Sequence, residues 1–132
     1  MSPVVLDASA GVEIALRTLA GRRLLNILVQ AGSPAVAPEH FLVEAAGVLR
    51  KLEARKNVTP ERAQVALSRL ATLVDTAEVG PLLNEAWALR ENLTVADAVY
   101  VVLARRLDAP LVTLDSRLAG APNLGIHVLG PL

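Results

Sequence analysis

Cysteine is absent from the 132 residues. That excludes disulfides, thiolate nucleophiles and Cys-ligated zinc, and it suits a cytoplasmic protein. Aromatic residues are almost as scarce, at 2%, with one Phe, one Tyr and one Trp. The core must therefore be Leu, Val, Ile and Ala. No apolar run reaches the ~18 residues that a membrane span needs. The run Val4 to Leu6 is too short for a signal-peptide core, and Asp7 interrupts it. Excess charge is lacking as well. The 13 basic and 13 acidic residues balance to zero, so no global basic field draws in a polyanion. Lysine is nearly missing: only Lys51 and Lys56 occur, leaving 11 arginines. Arginine's planar fork matches phosphate oxygens, although it serves equally on solvated faces.

What the chain has in abundance is aliphatic surface. Hydrophobic residues make up 53% and mean hydropathy is +0.46. So much apolar surface on a chain of this size predicts that part of it is buried against a partner. The length suits one domain over residues 1–132.

Short apolar runs alternate with helical patterns. Pro3 to Leu6 reads as a strand, followed by a helix to about Leu16 that Ser9 can cap. Thr18 to Gln30 is helical, and Ala35-Val36-Ala37 is a very short strand. Glu39 to Arg55 is a helix closed by Asn57. Thr59-Pro60-Glu61 opens the next helix with a capping hydroxyl, a first-position proline and a first-turn acid. It ends near Val74. Thr76 to Val79 is a weak strand, and Pro81 to Arg90 is a short helix holding Trp87. Thr94 caps a helix to about Leu107, and Leu111 to Leu114 and Ile126 to Leu129 are the last strands. Strands alternating with helices predict a parallel sheet covered on both faces.

Carboxylates recur at particular places in this pattern. Asp7 and Asp115 each follow the last apolar residue of a strand, and Asp97 sits in the first turn of a helix. In a parallel α/β sheet those places face one rim. Each acid also has an ordinary structural role: Asp7 and Asp115 can cap or turn, and Thr94-Val95-Ala96-Asp97 has capping-box spacing. Glu44 lies inside an apolar stretch of helix, with Phe41, Val48 and Leu52 within about a quarter turn. A charge buried there without a partner costs several kcal/mol, on the order expected for an unpaired ion. Four converging acids would repel one another, so such a cleft calls for a cation, and its repulsion should raise at least one carboxyl pKa in the metal-free protein. Carboxylate oxygens without Cys or a His cluster suit Mg²⁺ or Mn²⁺. His40 and His127 read as incidental. A metal so held typically serves phosphodiester hydrolysis. Ser9, Thr94, Thr113 and Ser116 lie beside the acids, where they can orient water or phosphate or simply cap.

At these residues the chain resembles the PIN-domain family, and within it the VapC-type toxins of bacterial toxin–antitoxin pairs. The resemblance rests on Val5-Leu6-Asp7-Ala8-Ser9, on Glu44 within Pro38-Glu39-His40-Phe41-Leu42-Val43-Glu44, and on Leu93 to Tyr100 and Leu111 to Leu118. It implies a three-layer α/β/α fold and a Mg²⁺- or Mn²⁺-dependent endoribonuclease of a type II system. By position it implies Asp7, Glu44, Asp97 and Asp115 as catalytic and metal-holding acids, with Ser9 and Thr113 at small hydroxyl positions. It also implies a homodimer inhibited by a cognate VapB-type antitoxin that covers the cleft. With so few aromatics, base stacking is a poor main RNA contact. Arg17, Arg22, Arg23 and Arg117 are the candidate phosphate contacts. Two other readings remain: a phosphoaspartyl hydrolase, which lacks its second Asp at Ser9 and any lysine after Lys56, and a catalytically inactive or regulatory module on the same fold.

Overall fold

The computed structural model describes residues 2–130. Five short strands form its sheet: β1 (Val4–Leu6), β2 (Ala35–Pro38), β3 (Asp75–Ala77), β4 (Leu111–Val112) and β5 (Val128–Leu129). The helices are α1 (Ala8–Leu16), α2 (Leu19–Ala31), α3 (His40–Ala54), α4 (Pro60–Leu73), α5 (Leu83–Trp87), α6 (Val95–Leu107) and α7 (Ser116–Ala119). A 3₁₀ turn, Gly80–Leu82, leads into α5.

The strand order is β3-β2-β1-β4-β5, and all four pairings are parallel. From β1 the chain steps through β2 to β3, then returns across the sheet to β4 and β5. Right-handed crossovers running in opposite directions put their helices on opposite faces. The α1–α4 helices thus cover one face and α5–α6 the other, the three-layer arrangement expected. β1 and β4 are neighbours, with Val5 opposite Leu111 and Leu6 opposite Val112. The direction of winding reverses between them, and ligands bind at such a switch point, outside the carboxyl ends of the strands.

Burial explains the near-continuous apolar strands. Val5, Leu6, Leu111 and Val112 are at most 1% exposed. The Val99–Ala104 stretch of α6 is buried throughout and packs on β1, β2 and β4. Threonine starts three helices by accepting a backbone N–H: Thr18 from Gly21, Thr59 from Arg62 and Thr94 from Asp97, at 3.1–3.2 Å. Gly11 and Phe41 lock α1 to α3. A Cβ on Gly11 would stand 2.5 Å from Cζ of the Phe41 ring, so only glycine admits that ring.

Several local expectations are corrected. Asp7, not Ser9, caps α1, accepting the Ala10 N–H at 3.0 Å, and Ser9 lies inside the helix. α3 stops at Ala54, and Lys56, at φ 62°, takes the left-handed conformation just past its end, one residue before the Asn57 expected to close the helix. Strands β4 and β5 are two residues each, shorter than predicted. The weak strand before the 3₁₀ turn is Asp75–Ala77, starting one residue and ending two residues earlier than expected. No helix among the described residues is long and apolar enough to cross a membrane.

Candidate active site

Asp7, Glu44, Asp97 and Asp115 come from four separate elements and line one open cleft of about 460 Å³, together with Ser9, Gly47, Val48, Lys51 and Tyr100. The cleft lies at the carboxyl ends of β1 and β4. Asp7 follows β1 directly, Asp115 caps α7 just beyond β4, Asp97 opens α6 and Glu44 sits one turn into α3.

Asp7 is the most enclosed of the four and is fully braced. Its Oδ1 accepts the Ser9 hydroxyl at 2.7 Å and the Ala10 N–H at 3.0 Å, and its Oδ2 accepts the Thr113 hydroxyl. Thr113 is completely buried, and its Oγ1 also accepts the Asp115 N–H at 3.0 Å. Ser9 Oγ accepts the Leu114 N–H at 3.0 Å. Each hydroxyl has one proton, and both protons point at Asp7, so the 3.3 Å approach of Ser9 to Thr113 is a packing contact. This lattice ties the end of β1 to the end of β4 across more than a hundred residues of sequence. Burial pushes the Asp7 carboxyl above its ordinary range. The hydrogen bonds from Thr113, Ser9 and Ala10 oppose that rise without cancelling it, and the field of Asp115 adds to it. A raised carboxyl was expected from crowding of like charges. The larger cause is desolvation.

Asp97 and Asp115 face a cation supplied by the chain itself. Arg117 Nη2 lies 3.6 Å from Asp97 Oδ2 and 3.4 Å from Asp115 Oδ2. The Arg117 side chain is 76% exposed, so it can leave. Asp115 Oδ1 accepts the Arg117 and Leu118 N–H groups and so starts α7. Asp97 does not use its carboxylate for the cap, since Thr94 makes that bond with the Asp97 backbone. Thr94 itself is exposed, and the exposed Ser116 is the first residue of α7.

Glu44 is steadied by two residues that sequence reasoning passed over. The buried Tyr100 hydroxyl donates to Glu44 Oε1 at 2.7 Å. The phenol is pushed up strongly, by burial first and then by Glu44. His40 is far from incidental. Its ring packs on Tyr100, and Nε2 lies 3.0 Å from the Ala96 carbonyl oxygen and 3.5 Å from Glu44 Oε1. A carbonyl only accepts, so Nε2 carries the proton, and Nδ1 is buried without a partner. The i,i+4 spacing of His40 and Glu44 was the available signal. His127 lies elsewhere, against the C-terminal part of α6. Of the arginines expected near phosphate, Arg117 reaches the acids, whereas Arg17 lines a groove against α4 and Arg22 and Arg23 are exposed on α2.

The donor set is carboxylate oxygen throughout, which fits a hard divalent cation such as Mg²⁺ or Mn²⁺. Among the described residues no three His, Asp or Glu side chains yet close on one point. Arg117 lies between two of the acids, and Tyr100 holds a third.

The PIN domain family model matches residues 4–124. Ribonuclease VapC12 of Mycobacterium tuberculosis is 39% identical over 117 residues, 88% of this chain and 89% of its own. Among solved structures, PAE2754 from Pyrobaculum aerophilum superposes with a TM-score of 0.72 at 22% identity, covering 98% of this chain and 89% of its own. VapBC2 from Rickettsia felis, bound to a DNA fragment from its promoter, superposes with a TM-score of 0.68 at 15% identity, covering 98% of each chain. The two structures share the fold, and by the family match and the sequence relative this chain belongs to the PIN-domain family, among the VapC ribonucleases.

Proposed function

We propose that this chain is a metal-dependent endoribonuclease, the toxin of a type II toxin–antitoxin pair. The observation that carries this reading is the convergence of Asp7, Glu44, Asp97 and Asp115 on one cleft at the switch point of the sheet. Relatives named VapC ribonucleases support RNA as the substrate.

Asp7, Asp97, Asp115 and Glu44 would hold Mg²⁺ or Mn²⁺. When bound, the ion supplies positive charge to phosphate oxygens and makes a coordinated water more acidic. The chain's own residues prepare the site. Ser9, Ala10 and Thr113 fix both Asp7 oxygens, so the least solvated acid keeps one orientation. Tyr100 holds Oε1 of Glu44 and leaves Oε2 available to the cleft. With the acids holding a metal, Arg117 would be released from its two carboxylates and would lie near enough to meet substrate phosphate. Ser116, exposed beside Asp115, is available to water or phosphate. Thr113, being fully buried, acts through Asp7.

In this reading residues 1–132 form one nuclease unit that works in the cytoplasm, with a VapB-type antitoxin covering the cleft. A homodimer would bury part of the apolar surface left open by Leu19, Ile27 and Val29 of α2 and Val43 of α3, all at least 50% exposed. Sedimentation at tens of micromolar tests it: a dimer is expected, and a monomer contradicts it. The toxin reading is tested by induced expression in a bacterial host. Wild type should arrest growth and Asp97→Asn should not. Equal growth of the two strains at equal protein levels would contradict it.

A further inference from the structure

The acid cleft has one residue of opposite character, which the ribonuclease chemistry above does not use. Lys51 lines the cleft from α3, seven residues beyond Glu44. It is exposed, and no ion pair engages it among the described residues. Between Glu44 and Lys51 the same helix face carries Gly47 and Val48, which also line the cleft. A Cβ on Gly47 would meet nothing within 4 Å, so the floor there is open. Two turns of helix put Lys51 about 10 Å from Glu44 along the axis. That is too far to neutralise the acids by contact. It is the reach needed to hold another phosphate of a strand whose scissile phosphate lies at the acids.

We propose that Lys51 binds a phosphate flanking the cleaved one, so that single-stranded RNA runs along α3 from the acids, over Gly47 and Val48, to Lys51. The inference rests on the ribonuclease reading and deepens it by giving the strand a path. An acidic cleft repels polyanions, and a lysine at its mouth supplies attraction that does not compete with the metal. Lys51 also lies in the last turn of α3, where a cation favours the helix end. The two roles separate by experiment. Arg50 is its control: adjacent, equally charged, and facing the groove between α3 and α4 instead of the acid cleft.

The test uses a fluorescein-labelled, mixed-sequence single-stranded RNA 20-mer in millimolar Mn²⁺, with anisotropy for binding and gels for cleavage. Wild type, Lys51→Gln, Lys51→Arg and Arg50→Gln are compared across a salt series, with melting temperatures alongside. Lys51→Gln should bind severalfold more weakly, and its plot of log affinity against log salt should be shallower by ~0.7, the loss of one phosphate contact on a single strand. Lys51→Arg should restore both, Arg50→Gln should match wild type, and melting temperatures should agree. Cleavage by wild type with unchanged binding and slope in Lys51→Gln overturns the proposal. An equal loss in Arg50→Gln does so too, by showing a general charge effect. A fall in melting temperature that tracks the fall in binding would assign Lys51 to the helix end alone. Wild type that neither binds nor cleaves would overturn the ribonuclease reading, and this path with it.

Discussion

The Tyr100 hydroxyl donates to Glu44 Oε1 at 2.7 Å, joining the buried side of α6 to the cleft side of α3. The bond spans 56 residues of sequence and fixes the one acid that lies in the middle of a helix. Tyr100→Phe keeps the ring and removes only the hydroxyl. It should cost about 1.5–3 kcal/mol by denaturant unfolding, as expected for a hydrogen bond to a charged group. Cleavage should slow with little change in RNA binding, because Glu44 loses its orientation while the cleft keeps its charge. Full activity in the variant would make the bond purely structural.

Asp7 contributes to the pH response of the metal-free fold. Its folded-state pKa lies above its unfolded value of about 3.8, chiefly through burial. The folded state therefore binds more protons between those two values. This contribution destabilises the fold as pH rises past the unfolded pKa, and levels off above the raised folded one. Asp7→Asn removes the penalty. In EDTA at pH 7 the variant should melt higher than wild type, and it should gain less from Mn²⁺, because the ion binds the native cluster and not the unfolded chain. Four melting curves check this. A variant that melts lower in EDTA and gains equally from Mn²⁺ would reduce Asp7 to a helix cap.

Arg117 should compete with a divalent metal for Asp97 and Asp115, because its guanidinium lies beside both carboxylates. As an exposed pair it should contribute little stability, up to about 1 kcal/mol. Arg117→Gln should therefore fold normally, and the Mn²⁺ concentration that half-saturates the rise in melting temperature should fall severalfold. An unchanged Mn²⁺ titration would mean that the guanidinium does not occupy the cation's place.

Gly11 is required by packing. Gly11→Ala would force its Cβ against the Phe41 ring, which has no exposure to retreat into. Overpacking of this kind costs about 1–3 kcal/mol. Denaturant titration measures it, and a neutral result would mean that α3 shifts freely away from α1.

Much of this site was legible before the fold was known, because it depends on local pattern. A threonine three residues before a helical N–H announces a start, so the caps Thr59 and Thr94 are readable in the sequence, whereas Thr18 reads as the first residue of a helix that it in fact caps. An acid just past a buried strand sits at the rim whatever the rest of the chain does, so Asp7 and Asp115 were readable too. What stayed hidden depends on contacts distant in sequence or on side-chain direction. Ser9 looked like a cap because Thr113, its neighbour across the sheet, lies over a hundred residues away. Tyr100 belongs to the core, but its hydroxyl emerges at Glu44, 56 residues away in sequence. His40 reads as solitary among so few histidines, although its i,i+4 spacing to Glu44 is visible in the sequence. Arg117 was noticed for phosphate and not for its carboxylate neighbours, because Asp97 reaches it only once α6 and α7 meet at the rim.

The most direct test of the shared acid site is cleavage itself. Purified protein is incubated with a pool of cellular RNAs in Mg²⁺, in Mn²⁺ and in EDTA, beside Asp97→Asn, and the new ends are mapped. Asp97 is the right residue to change, because Thr94 caps α6 through the Asp97 backbone and the carboxylate is free of that duty. Cuts are expected only with Mg²⁺ or Mn²⁺, leaving 3′-hydroxyl and 5′-phosphate ends, and none from a folded Asp97→Asn. Undiminished cleavage in EDTA, or by Asp97→Asn, would contradict it.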